Sequence, residues 1–96
     1  MARTTEVHVI AGEVVDQIRD FAAALETAQT IVNAEVELLT IDPTITVGLA
    51  VVSGDLVSWR VTTAKSTPRG VYVARVLATT NVGEVIGHIV NYRVTP

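Results

Sequence analysis

The chain has 96 residues, 49% of them hydrophobic but only 4% aromatic, with a formal net charge of −3. That is one domain, residues 1–96, with a core built from aliphatic side chains; its scattered Lys and Arg argue against a phosphate-binding surface, which needs them clustered. The absence of cysteine excludes disulfides and thiolate metal sites and points to assembly in a reducing cytoplasm.

Residues 1–5 carry no apolar run before a cleavage site. They read as an N-terminal arm, flexible or partner-docking, and not as a signal peptide. Glu6 to Ile10 alternates polar and apolar and predicts a first strand, broken at Ala11-Gly12. The next region, Glu13 to Val32, supports two readings. Val14, Ile18, Phe21, Ala22 and Leu25 recur at helical spacing, and Ala22-Ala23-Ala24-Leu25-Glu26 is the best helix-forming run in the chain. Local pattern alone therefore favours a helix. The strand reading places Val15, Gln17, Arg19 and Phe21 on one face, half of it polar.

From Thr30 to Val94 the residues are mostly Val, Ile, Leu and Thr, whose branching suits a pleated sheet. Breaks fall at Asp42-Pro43, Ser53-Gly54, Pro68-Arg69-Gly70 and Asn81-Val82-Gly83, the spacing of a small β-sandwich or barrel. Val32, Ala34, Val36 and Leu38 alternate with Asn33, Glu35 and Glu37. Ile45, Val47, Leu49 and Val51 are expected to share the next inward face. Val57, Trp59 and Val61 follow, then a polar loop from Thr63 to Gly70. Tyr72, Ala74, Val76 and Ala78 oppose Val71, Val73, Arg75 and Leu77. In the last strand Ile86, His88, Val90, Tyr92 and Val94 point one way. The expected core is Val36, Leu49, Val57, Trp59, Val61, Tyr72, Val76, Val90 and Tyr92. No stretch reaches the ~18 apolar residues of a membrane span. The chain opens on Met1 and ends on Pro96, and is expected to be a complete gene product.

The chemistry-bearing residues assemble no active site. His8 and His88 are the only histidines, too few for a zinc site without Cys. Ser53, Ser58 and Ser66 lack a nucleophile elbow or a paired His and acid. The carboxylate pairs Asp16/Asp20 and Glu35/Glu37 read as solvated faces. No enzyme activity, cofactor, metal or nucleic-acid partner is expected. The loop Lys65 to Arg69, with Arg60 before it, is the one local positive cluster. Together with Val71, Val73 and Leu77, apolar on a nominally wet face, Arg60, Lys65 and Arg69 are the candidate partner contacts. Such a second apolar surface implies a homo-oligomer or multi-copy assembly. Trp59 is read as core, since its i±2 neighbours are apolar. Tyr72, just after a Pro-x-Gly corner, fits a tyrosine corner, with its hydroxyl bonded to backbone upstream.

The order of these features resembles an immunoglobulin-like domain of bacteriophage virion proteins. The likeness rests on Gly12-Glu13-Val14, Asp20-Phe21, Leu25, Thr30-Ile31, Gly48-Leu49, Val51-Val52-Ser53, Gly70 with Tyr72, and Thr79-Thr80. It spans Gly12 to Val94. The chain departs from the family pattern at Gln17 and Arg19, and in carrying its only Trp at position 59 instead of near Val36. The resemblance implies an all-β, Ig-like antiparallel sandwich of about seven strands, with a short helix or helical bend near residues 21–27. It also implies a structural protein of the virion, assembled in the bacterial host cytoplasm and most simply a capsid decoration protein. The alternatives are a neck or tail accessory or a carbohydrate-binding adhesion module.

Overall fold

The computed structural model describes residues 4–96. Eight strands follow in chain order: β1 Thr4–Ile10, β2 Val14–Asp20, β3 Ile31–Leu38, β4 Ile45–Val47, β5 Val51–Ser53, β6 Leu56–Thr63, β7 Gly70–Thr80 and β8 Val85–Thr95. A 3-10 turn lies between β2 and β3 at Ala22–Ala24, within the segment expected to bend. The strands form an all-β sandwich of two sheets. The larger runs β1-β8-β7-β3, and the smaller runs β2-β6-β4 with β5 also on β6. Every ladder is antiparallel except β1 with β8, which is parallel. Among the described residues no helix is long and apolar enough to cross a membrane.

The strand pattern of β7 and β8 carries through to the packing. Alternate residues Tyr72, Ala74, Val76 and Ala78 on β7 and Ile86, Val90, Tyr92 and Val94 on β8 are buried between the sheets. From the smaller sheet they meet Val57, Trp59 and Val61 of β6, Ile45 of β4 and Phe21. Burying one such side chain contributes roughly 1.5–3 kcal/mol, so the β6–β8 alternation supplies most of the fold. Seven of the nine expected core residues are buried, namely Val57, Trp59, Val61, Tyr72, Val76, Val90 and Tyr92. Val36 is half-buried and packs against the core.

Three expectations need correction. Leu49 is not core but 93% exposed. The pairing explains this: Val47 sits opposite Val61 in β4, whereas Val51 sits opposite Ser58 in β5. One extra residue has been inserted against β6, as in a β-bulge. A one-residue slip moves every following side chain to the other face. Val51 is therefore exposed and Val52 turns inward. The same slip separates β4 from β5 and raises the strand count above seven.

The second correction concerns Glu13–Val32. Val14 to Asp20 is a strand, with seven consecutive partners on β6. Val14 and Ile18 lie four apart, a spacing that keeps residues on one face of a helix and of a strand alike, so the pattern could not separate the two. Pairing with β6 decided it. The third concerns the N-terminal arm: Thr4 and Thr5 belong to β1, paired with Ile89 and Val90, while residues 1–3 lie outside the described residues.

Tyr72 is 6% exposed and its hydroxyl donates to the Pro68 carbonyl at 2.8 Å, the local arrangement of a tyrosine corner. Burial raises the phenol's pKa, and the Asp42 charge adds to the rise. Replacing Tyr72 with Phe is expected to destabilise the fold by about 1 kcal/mol, the net worth of a neutral hydrogen bond. A urea titration reads the change as a lower midpoint at unchanged slope.

Candidate interaction surface

The candidate contacts do not converge on one face. Arg60 lies on the outer face of β6, where its Nε meets Asp16 Oδ1 of β2 at 2.8 Å. That hydrogen bond, with the attraction of opposite charges, lowers the Asp16 pKa and raises that of Arg60. Both groups are open to solvent, so the pair is screened and adds little to stability. Val71, Val73 and Leu77 lie on the outer face of the larger sheet, Val71 exposed and the other two half-buried. Between them Arg75 pairs with Glu37 at 2.7 Å. Lys65 and Arg69 lie in the connection from β6 to β7. Lys65 covers Gly12, whose φ of +99° suits glycine, and a Cβ there would come within 3.1 Å of Lys65 Cγ. Arg69 and Val71 share a shallow depression with Arg93 at one corner of the larger sheet.

A more apolar surface lies on the outer face of the smaller sheet. Val14 and Ile18 of β2, Val51 of β5 and Leu56 of β6 are 56%, 68%, 60% and 39% exposed. Leu49 projects beside them from the β4–β5 bulge. Asp16, Ile18, Leu49, Val51, Ser58, Trp59 and Arg60 line a depression of about 360 Å³. Sequence reasoning missed this surface because β2 reads inside out. Its inward positions hold Val15, Gln17 and Arg19, half-buried, while Val14 and Ile18 face solvent. The signal was present in the strand reading of Glu13–Phe21, which put Gln17 and Arg19 on one face with Val15 and Phe21.

Between the sheets, at the β1–β2 side, the polar residues collect. His88 is 3% exposed, and its Nε2 lies 2.8 Å from Thr5 Oγ1. Gln17 and Arg19 complete a recess of about 90 Å³ with Thr5, Ile18, Trp59, His88 and Val90. On the buried side of this recess Trp59 Nε1 donates to Tyr92 Oη at 2.7 Å. Burial pushes the Tyr92 pKa up to about 12, even though the hydrogen bond from Trp59 pulls it down. Among the described residues no group of three or more His, Asp and Glu is placed to hold a metal ion. No protein-family model matches the chain, and no curated protein does.

Proposed function

We propose that this chain is a non-enzymatic structural protein of a bacteriophage virion, most specifically a capsid decoration protein with an immunoglobulin-like sandwich. In this reading it is made in the host cytoplasm and binds the assembled head through protein–protein contacts. The observation that carries the binding half of the proposal is the apolar outer face of the smaller sheet. Ile18, Leu49 and Val51 stand clear of the core around one ion pair, and contiguous exposed apolar side chains mark interaction surfaces. The virion half rests on the resemblance spread over Gly12 to Val94. A capsid presents many copies of one site, so modest contacts per subunit are amplified by avidity.

A neck or tail accessory would use the same face on a different virion protein. The carbohydrate-binding reading is less well supported, because Phe21, Trp59, Tyr72 and Tyr92 are all buried. They are the chain's whole complement of Phe, Trp and Tyr, so no aromatic platform is left for a sugar.

The test is co-sedimentation of the purified protein with heads of the phage that encodes it, alongside a Leu49→Asp/Ile18→Asp variant. The wild type is expected to pellet with heads. The variant is expected to bind at least about tenfold more weakly, as when a hot spot is removed. Its unfolding free energy should stay within about 0.5 kcal/mol, since both positions are on the surface. A protein absent from virions and indifferent to heads would overturn the proposal, as would a variant that binds like the wild type.

A further inference from the structure

The edges of the two sheets are not equally protected. On the larger sheet, β3 carries an irregularity between Ile31 and Asn33 and outward carboxylates at Glu35 and Glu37. Bulges and charges are the usual defences of an edge strand. On the smaller sheet β4 and β5 have only three residues each. β2 carries Asp16 and Asp20 among its outward-facing residues. Pairing β2 with a copy of itself sets these carboxylates against each other or against Val14 and Ile18. β1 is the exception. It has seven residues, Thr4 to Ile10, with no proline, no bulge and no second described strand beside it.

The backbone of β1 can be assigned group by group. Ala11 N donates to Thr95 O at 2.8 Å, so residues in phase with Ala11 (Thr5, Val7 and Val9) point their backbone groups at β8. The other set points away. At Ile10 that outer edge is already closed, because Ile10 N donates to Glu13 Oε1 at 2.6 Å and Glu13 N donates to Ile10 O at 3.0 Å. Thr4, at the start of the described strand, Glu6 and His8 are left with N–H and C=O groups directed outward.

From this we infer that β1 is a homodimerisation edge: two copies pair antiparallel through β1 about a two-fold axis at Val7, placing Glu6 of each copy opposite His8 of the other. Three constraints select this register. Hydrogen-bonded antiparallel pairs require residues with outward backbone groups on both strands, which Glu6 and His8 supply twice over, four bonds in all. Centring the pair on Glu6 sets two carboxylates face to face. Centring it on His8 sets Glu6 against Ile10, whose edge is closed by Glu13, whereas about Val7 only the terminal Thr4 meets Ile10. Centring it on Thr5 sets Glu6 against Thr4 and brings no base opposite the acid. The chosen register also brings an acid opposite a base on the outer face, a favourable cross-strand pair. His8 Nε2 bonds Thr95 Oγ1 at 2.8 Å, and Glu6 meets Arg93 at 3.2 Å, so both side chains are already held along the strand. The resulting isologous dimer joins the two larger sheets into one continuous sheet. It does not depend on the virion reading.

The chain has no cysteine, so a Val7→Cys variant forms disulfides only between molecules. Facing residues in a non-hydrogen-bonded antiparallel pair have Cα atoms about 4.5 Å apart, within the disulfide range. Mild oxidation of Val7→Cys is expected to give a covalent species of twice 10.2 kDa, while Ser53→Cys on β5 at equal concentration does not. Sedimentation equilibrium supplies a second arm at exposed His8. His8→Glu puts like charges opposite each other twice across the axis and is expected to weaken the dimer about tenfold or more, whereas His8→Lys keeps it. The inference fails if wild type sediments as a monomer across the accessible concentration range. It fails equally if Val7→Cys crosslinks no faster than Ser53→Cys, or if His8→Glu leaves the dimer constant unchanged.

Discussion

Trp59→Ala is expected to remove about 3–5 kcal/mol of stability, the range for deleting a buried aromatic. A domain of this kind has only about 5–15 kcal/mol in total, so the variant should be largely unfolded near 40 °C or in low urea. Two losses combine. The indole fills space between the two sheets in the buried cluster that also holds Val57, Val61 and Val90, and its removal leaves a cavity there. The Tyr92 hydroxyl, whose pKa burial pushes up to about 12, also loses the donor that approaches it at 2.7 Å. Trp59→Phe separates the two: it keeps most of the ring volume and forfeits the N–H, at about 1–3 kcal/mol for an unsatisfied buried hydroxyl. Urea unfolding followed by circular dichroism gives both values. If Trp59→Ala unfolds at the wild-type midpoint, the inter-sheet position of this side chain is wrong.

Acid is the second large lever. Burial lowers the His88 pKa, and the positive charge of Arg19 lowers it further. Thr5 and Gln17, the other polar groups of the recess, carry no charge to offset this. The folded chain therefore prefers a neutral ring, and the unfolded chain takes up the proton first as pH falls. The contribution of His88 is complete above about pH 6.5, the ordinary histidine value. Below that it is lost at up to about 1.4 kcal/mol per pH unit, until the pH passes the lowered pKa of the folded state. Urea midpoints measured from pH 7.5 to 5 should fall for wild type and stay nearly flat for His88→Gln. An equal slope in both proteins would show that the imidazole is not the titrating group.

How far the sequence could be read depends on how each segment is held. β6, β7 and β8 were legible from alternation alone, because each has one face in the core and the other towards solvent. That the Tyr72 hydroxyl would bond backbone upstream was legible for a different reason, the rule for a Tyr just after a Pro-x-Gly corner; the structure supplies the partner, the Pro68 carbonyl. β2 was not legible, since Gln17 and Arg19 occupy its inward positions and its apolar Val14 and Ile18 face out. Leu49 was misplaced because the alternation from Ile45 to Val51 looks unbroken in sequence. The inserted residue is visible only from the partner, where Val47 meets Val61 and Val51 meets Ser58. The exposed face formed by Ile18, Leu49 and Val51 was therefore hidden by two independent inversions of phase.

Composition and periodicity by themselves determined an aliphatic, mostly β chain of sandwich or barrel type without cysteine chemistry, because side-chain branching and a period of two are properties of the chain alone. Only the tertiary structure decided which faces those side chains take in β2 and β5, that β1 joins β8 in parallel, and which sheet edges stay open. Those are properties of pairing between residues as far apart in sequence as Thr4 and Ile89, and a residue's partner is not written in its neighbours.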